Sequence, residues 1–288
     1  MAQRGKYISY YVQYVILSVF LFITRLLPFP MRVRLGSYII GALVPNLKEP
    51  RARIIRNLAL IFPEMPENTR KTIAKQVGRN VGATLMEILN NHHFAHQQQH
   101  FHATGPGLAA LFAAQKQGKG AILISGHFGS WDSTRQYLKA NGIEVGAVYR
   151  RNNNPYYDRL HFKMIKLGGE PIFPTGRRGT MQMVKHLRDG GVVAILHDQK
   201  QASGEILDFL GQPAHTSLGA AELALKYDIP MIPFYGTRRT GDSDIDITFE
   251  APIAQSDAKT MMQHANDSLS AMVRKYPGQW YWLHQRWK

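Results

Sequence analysis

The sequence predicts an α/β fold, a mixed sheet flanked by helices and preceded by an apolar N-terminal helix. Three observations carry this expectation. Six short runs, "GAILIS", "EVGAVYR", "EPIF", "VVAILHD", "MIPFYG" and "DIDITFE", have the length and residue types of strands. Helix-patterned stretches at about 131–140, 155–167, 178–189 and 217–227 lie between several of them, the order expected of a mainly parallel or mixed sheet covered on both faces. At 288 residues and 44% apolar content the chain can build one large α/β domain or two small ones.

The elements follow in order. Residues 7–24 carry no charge, and Lys6 and Arg25 bracket them. As a helix this run spans roughly 27 Å, close to the bilayer hydrocarbon core of about 30 Å. Tyr7, Tyr10, Tyr11 and Tyr14 crowd one end, as interfacial aromatic belts do. A cleaved signal peptide needs a shorter apolar core and a small-residue cleavage site, whereas Leu-Leu-Pro-Phe-Pro follows here. A buried core helix is the bland alternative to a membrane anchor or in-plane helix. Arg25, Arg32 and Arg34 downstream favour a cytoplasmic body; Arg4 and Lys6 on the other flank weigh against that orientation.

Residues 33–44 form a second apolar segment, too short to span and expected as a packed or interfacial helix. Residues 51–62 place apolar side chains at helical spacing, with Arg51, Arg53 and Arg56 on the other face. Pro63 and Pro66 end this helix, and Asn68 can cap the next, which runs to about Asn90. A last helix at about 257–275 precedes the aromatic tail "YPGQWYWLHQRWK". No internal repeat or long linker interrupts the chain.

Composition narrows the chemistry. The absence of cysteine excludes disulfides, zinc–thiolate sites and a cysteine nucleophile, and fits a cytoplasmic setting. A formal net charge of +15 favours polyanionic partners: nucleic acid, anionic lipid, phosphorylated ligands or an acidic protein.

The stretch "AILISGHFGSWDSTRQYL" holds the sharpest motif. Reactive residues of such folds sit on loops beyond the carboxyl ends of strands, and His127, Arg150 and Asp198 all follow strand-like runs. Ser130 can cap a helix starting at Trp131, with Asp132 in its first turn. A carboxylate folded back onto His127 fixes one ring nitrogen and leaves the other free to take a proton from an alcohol. The substrate then supplies the nucleophile. Gly126 and Gly129 permit close backbone approach. The plainer reading is a histidine at a strand end and an aspartate at a helix N-terminus.

The spacing His127 to Asp132 resembles the H-x4-D signature of glycerolipid-type acyltransferases, and "SGHFGSWD" is closer still to the late acyltransferases of lipid A biosynthesis, the lauroyl/myristoyl transferase family. "NLALIFPEMPENTR", "VYRRNNNPYYDRL", "GRRGTMQMVKHLRDGGVVAILHDQK", "FLGQPAHTSLGAAELALKYDIPMIPFY" and "YPGQWYWLHQRWK" resemble further blocks of that family, in order over most of the chain. One position departs: the lipid A branch more often has glutamate where Asp132 stands. The resemblance leaves Asp198, in "HDQ", and Glu205, in "SGEILDFLG", as rival partners of His127. Glu205 resembles an acid of mycobacterial phosphatidylinositol-mannoside acyltransferases.

The resemblance implies a glycerolphosphate-acyltransferase-like sheet, with residues 1–28 as anchor and 29–288 as acyltransferase domain at the cytoplasmic side of the inner membrane. It implies acyl carrier protein as donor, a hydroxyl of an acyl chain on a lipid A precursor as acceptor, and His127 as general base. No metal or redox cofactor is needed. Arg150 and the Gly129 N–H are candidates to hold the oxyanion. Arg51, Arg53, Arg56, Arg177 and Arg178 are candidates for phosphate, each with a solvated surface role as alternative. A phospholipid or glycolipid acceptor is the nearest rival reading, and a non-enzymatic membrane-surface binder the rival of another class. No RNA- or DNA-binding motif supports a nucleic-acid partner.

Three features are discounted. In "NHHFAHQQQHFH", His92/His96 and His96/His100 have helical metal-site spacing, but no carboxylate lies in the segment, so a polar helix end near headgroups is expected. Trp280, Trp282 and Trp287, beside Arg286 and Lys288, are expected at a membrane interface or in the core rather than stacking bases, and His284 among them is a minor catalytic candidate. "GRRG" lacks the lysine–hydroxyl ending of a P-loop.

Overall fold

The computed structural model describes residues 2–239 and 243–287, with side chains from Gly5 onward. Lys288 and the side chain of Arg4, both weighed above, lie outside that set.

Helices come first. α1 (Ala2–Thr24) turns through residues 25–28 into α2 (Phe29–Asn46), and α3 (Lys48–Ile61) and α4 (Glu67–Leu89) follow. α4 starts behind Pro66 with no side-chain cap; Asn68 lies inside its first turn rather than capping it. α2 and α4 cross in close contact because glycines meet there. A Cβ on Gly82 would collide with the Gly36 carbonyl, and one on Gly78 would lie 2.8 Å from the Ile40 carbonyl oxygen. The buried side of α2 faces α4, while Met31, Tyr38, Ile39 and Leu43 stay exposed.

The histidine-rich stretch is not a helix end. It forms one turn, α5 (Asn91–Phe94), a 3-10 turn at 98–100 and then β1 (Phe101–Thr104). Phe94 and Phe101, with ring centroids 5.2 Å apart, bury this entry into the sheet. His100 and His102 both bond to Asp244, a carboxylate from a distant segment.

The alternation follows: α6 (Pro106–Lys116), β2 (Ala121–Ser125), α7 (Ser133–Ala140), β3 (Val145–Tyr149), α8 (Pro155–Leu167), β4 (Ile172–Pro174), α9 (Arg177–Arg188) and β5 (Val192–Leu196). A two-stranded hairpin, β6 (Glu205–Phe209) with β7 (Gln212–Thr216), then precedes α10 (Gly219–Tyr227), β8 (Met231–Arg238), β9 (Ile245–Phe249) and α11 (Ala258–Lys275). The main sheet has the order β1-β9-β8-β2-β5-β3-β4. Its neighbours are parallel except for β8 and β9.

β2 shows why the sheet needs two helical layers. Its five residues are all buried, and successive side chains point to opposite faces. Ala121 and Leu123 pack with Leu111 of α6 and Leu138 of α7. Ile122 and Ile124 pack with Ala221 of α10 and Met262 of α11. The mixed sheet flanked by helices is the expected class; β1, α6 and the β6/β7 hairpin are additions to it.

α1 is the one described helix long and apolar enough to cross a membrane, over Gly5–Thr24. One edge of it is engaged. Asn154, the N-cap of α8, donates to the Tyr10 carbonyl at 2.9 Å, and Tyr11 and Tyr14 meet Tyr156. Leu17, Phe20 and Leu21 cluster with Tyr157, Leu160, Met86 and Leu89. The remaining faces, including Ile8, Ile16, Phe22 and Ile23, are exposed.

Candidate active site

β2 and β5 are parallel neighbours in which Ser125 faces Leu196. Two residues further along each strand come His127 and Asp198, so the register alone brings them side by side. The His127 N–H donates to Asp198 Oδ2 at 2.9 Å, and its Nδ1 lies 2.8 Å from Oδ1. Gly126 makes the approach possible, because a Cβ there would stand 3.1 Å from the Asp198 carboxyl carbon and 2.6 Å from Leu269.

Asp198 is fully buried. Desolvation by itself would raise its carboxyl, but the His127 ring and backbone N–H, with His284 nearby, outweigh burial and hold it well below the usual carboxylate range. An ionised carboxylate only accepts, so Nδ1 of His127 donates to it and Nε2 is the ring nitrogen left for a substrate. Nε2 makes no hydrogen bond to any described residue, and the side chain is partly exposed.

The C-terminal tail completes the site. Trp280 Nε1 donates to Asp198 Oδ2 at 2.9 Å, so both carboxylate oxygens are occupied. The Tyr281 N–H donates to the His127 carbonyl at 3.0 Å. His284 places Nε2 3.2 Å from His127 Nδ1 and 3.8 Å from Asp198 Oδ2. Burial pushes its ring down to about 4 against the pull of Asp198, so it is neutral near pH 7. Trp131 stands edge-on to the His127 ring at 5.3 Å. Asn57 donates to the Trp282 and His284 carbonyls, and Arg53 to that of Leu283, which ties the tail to α3. Arg286 buries its guanidinium on His215 O and Thr216 Oγ1 of β7.

The other sequence candidates fall elsewhere. Asp132 does not meet His127. It is buried at the N-cap of α7, takes Arg135 Nη1 at 2.8 Å and Asn91 Nδ2 at 3.2 Å. Arg135 in turn donates to the Val145 and Gly169 carbonyls. Asp132 thus fastens α7 to β3 and to the end of α8. Ser130 is not a cap either: α7 begins at Ser133, and Ser130 Oγ donates to Glu87 at 2.7 Å. Glu205 is exposed at the start of β6 and makes no bond with His127.

The Gly129 N–H is already committed to the Gln279 carbonyl at 2.9 Å. Its φ of +54 and the closeness of Gly236 demand glycine there. Arg150 is exposed beyond β3 and makes no hydrogen bond or ion pair with the described residues. Arg51 and Arg56 are exposed on α3, and Arg177 and Arg178 are exposed at the start of α9. Arg53 is held by the tail.

Among the described residues, His127, Asp198 and His284 are also close enough to hold a metal ion, their donor atoms lying within 4.8 Å of one another. Through Nδ1 of His127, the atom that faces both Asp198 and His284, a metal would have to displace the proton of the bond to Asp198. Metal and proton are therefore alternatives at this atom.

Sequence reasoning gave Asp198 as one of three acids and His284 as a minor candidate; Trp280 was expected at a membrane interface or in the core. The signal for Asp198 was the shared position of His127 and Asp198 two residues past a buried apolar run. Trp280 had no local signal, because its partner is 82 residues away.

A His–carboxylate pair at the carboxyl ends of neighbouring parallel strands, with one imidazole nitrogen free, is an arrangement that α/β enzymes use. The chain belongs to the bacterial lipid A biosynthesis acyltransferase family, whose sequence model matches residues 2–288. It is an acyltransferase. The lipid A biosynthesis lauroyltransferase of Escherichia coli (strain K12) is 28% identical over 271 residues, covering 91% of this chain and 87% of the relative. The lipid A biosynthesis palmitoleoyltransferase of the same organism is 23% identical, covering 91% and 86%. The phosphatidylinositol mannoside acyltransferase of Mycolicibacterium smegmatis is 23% identical over 188 residues, covering 62% and 60%. Family membership brings an acyl donor, a lipid substrate and a membrane context.

Proposed function

We propose that the chain moves a fatty acyl group from an acyl carrier protein thioester to a hydroxyl of an acyl chain on a lipid A precursor, with His127 as general base and Asp198 as its orienting partner. The observation that carries this reading is the His127–Asp198 pair with Nε2 unoccupied. Nε2 takes the hydroxyl proton as the oxygen attacks the thioester carbonyl. The tetrahedral intermediate collapses, the C–S bond breaks, and the imidazolium returns the proton to the thiolate. Asp198 stays ionised throughout and stabilises the imidazolium, as in a triad whose nucleophile belongs to the substrate. Because the Gly129 N–H is engaged, Arg150 is the remaining candidate for the oxyanion. The exposed Arg51, Arg56, Arg177 and Arg178 are assigned to phosphate-bearing partners.

Residues 1–28 hold the acyltransferase domain, residues 29–288, on the cytoplasmic face of the inner membrane. α1 lies in the membrane plane: it packs along the first two turns of α8, whose Arg159 and Lys163 are exposed, and a helix normal to the bilayer would carry those charges into hydrocarbon. The apolar cluster of α1 and α4 reaches Tyr157, itself partly buried, and on the site side Tyr281 lies 6.1 Å from the His127 ring. We assign the α1/α4 side to the approach of the lipid chain. A second reading keeps the chemistry and changes the acceptor to a phospholipid or glycolipid, as the name of the mycolicibacterial relative suggests.

Mass spectrometry of lipid A from cells with and without the protein tests the acceptor. A mass difference of one acyl chain, absent with His127→Ala, is expected. Unchanged lipid A with an altered phospholipid or glycolipid profile would replace the lipid A reading by the second one.

A further inference from the structure

A cavity of about 490 Å³ lies between α2, α4 and the edge formed by β1 and β9. This is the size of small-molecule sites, and it is separate from His127. Glu87 and Ser130, both buried and bonded to each other, stand between the cavity and the His127 loop. On the cavity side, Arg238 is bonded to Glu87 through both Nη1 and Nη2.

The charges lining the cavity are unequally engaged. Glu87 is held by Arg238 and Ser130, and Asp244 is held by His100 and His102. Arg34 and Arg79 also line it, and neither makes a hydrogen bond or ion pair with a described residue. Arg79 is stacked on Tyr38 at 5.2 Å, which fixes its guanidinium at the wall. Two guanidiniums with no acid partner among the described residues, on adjacent helices, suit a phosphate diester, which accepts planar donor pairs.

Apolar side chains form one side of the lining, beside the polar Ser37 and Gln97. Phe29 stacks on Phe94 at 6.0 Å, and Val33 and Ile245 continue the surface. Outside, the same helix exposes Met31, Ile39 and Leu43. Arg34 thus lies on α2 between exposed apolar residues. The complementary ligand has an anionic head and an apolar body.

We infer that this cavity binds the headgroup of one anionic phospholipid taken from the membrane, outside the acyl-transfer site. Charge complementarity selects a phosphatidylglycerol-type head over phosphatidylcholine, whose own cation would sit against Arg34 and Arg79. The inference does not depend on which acceptor His127 serves.

The test uses the full chain in detergent with equal amounts of palmitoyl-oleoyl phosphatidylglycerol and phosphatidylcholine, read by native mass spectrometry. One phosphatidylglycerol per chain is expected, retained about tenfold or more over phosphatidylcholine. Arg34→Gln with Arg79→Gln should abolish that preference, with the thermal midpoint without lipid confirming the fold. Ala83→Phe, which fills the cavity and keeps both arginines, should also lose the lipid. Equal retention of the two lipids, or unchanged preference in the double variant, overturns the inference. So does a thermal shift from inorganic phosphate alone that matches the shift from phosphatidylglycerol, since the site would then be one for free phosphate.

Discussion

His127 and Asp198 divide their work by protonation, and each substitution there has a distinct signature. His127→Gln should abolish transfer in a folded protein. Asp198→Asn should lower kcat by about 10²–10⁴-fold, the range of a general-base contribution. Glu205→Gln should leave the rate unchanged. Asp132→Asn breaks a buried pair with Arg135 and should cost about 3–5 kcal/mol of stability while sparing the rate per folded molecule. Steady-state kinetics beside urea unfolding separates these outcomes; a rate loss for Asp132→Asn without loss of stability would return the dyad role to Asp132. A pH dependence follows from two buried rings. His197, whose Nδ1 is 2.8 Å from the Ser125 carbonyl, and His284 are both pushed down to about 4 by burial. Each binds its proton more weakly folded than unfolded. Their contribution is therefore complete above about pH 6.5 and is lost as pH falls toward 4, by up to roughly 3 kcal/mol per ring. The lowered Asp198 adds a loss only at still lower pH. A urea midpoint that holds steady or rises between pH 7 and 5 would contradict this.

Elements show where periodicity suffices and where it does not. α7 to α10, β2 to β5 and β8 lie within a few residues of their expected positions, because long apolar runs and amphipathic stretches report burial directly. β1, at four residues with only Phe101 buried, has no such run. The hairpin strands β6 and β7 are half exposed and depend on α11 and the tail for cover, as Asn266 to the Asp208 carbonyl shows. The α2/α4 crossing depends on glycines whose purpose is invisible in either helix alone. Gly82→Ala should cost about 1–3 kcal/mol, since its Cβ meets the Gly36 backbone rather than a movable side chain. A thermal midpoint equal to wild type would show that the helices can separate cheaply. For α1, the chain's lack of cysteine makes labelling clean. A Cβ at Gly5 meets nothing within 4 Å, and Leu26 is 86% exposed. Gly5→Cys and Leu26→Cys should both react with an impermeant maleimide in inverted vesicles and neither in spheroplasts; labelling of Gly5→Cys from the periplasmic side would mean that α1 spans.

At the scale of the whole molecule, the net charge of +15 concerns encounter rather than fold. With acyl carrier protein as donor, kcat/KM should fall several-fold between about 50 and 300 mM salt as the Debye length shortens. With a neutral short-chain thioester it should stay nearly flat. Equal salt dependence for both donors would remove the electrostatic account. The sequence by itself determined the strand–helix alternation, the apolar N-terminal helix, the place of His127 at a strand end and the family blocks. All of these are carried by contiguous residues, whose spacing fixes which face is buried and which turn follows. Only the tertiary structure decided which acid His127 meets. Asp198 is 71 residues away and arrives through the pairing of Ser125 with Leu196, while Asp132, five residues on, is drawn off by Arg135. It also decided that the aromatic tail closes over the site. Such contacts are set by strand register and packing, which no local pattern in either segment contains.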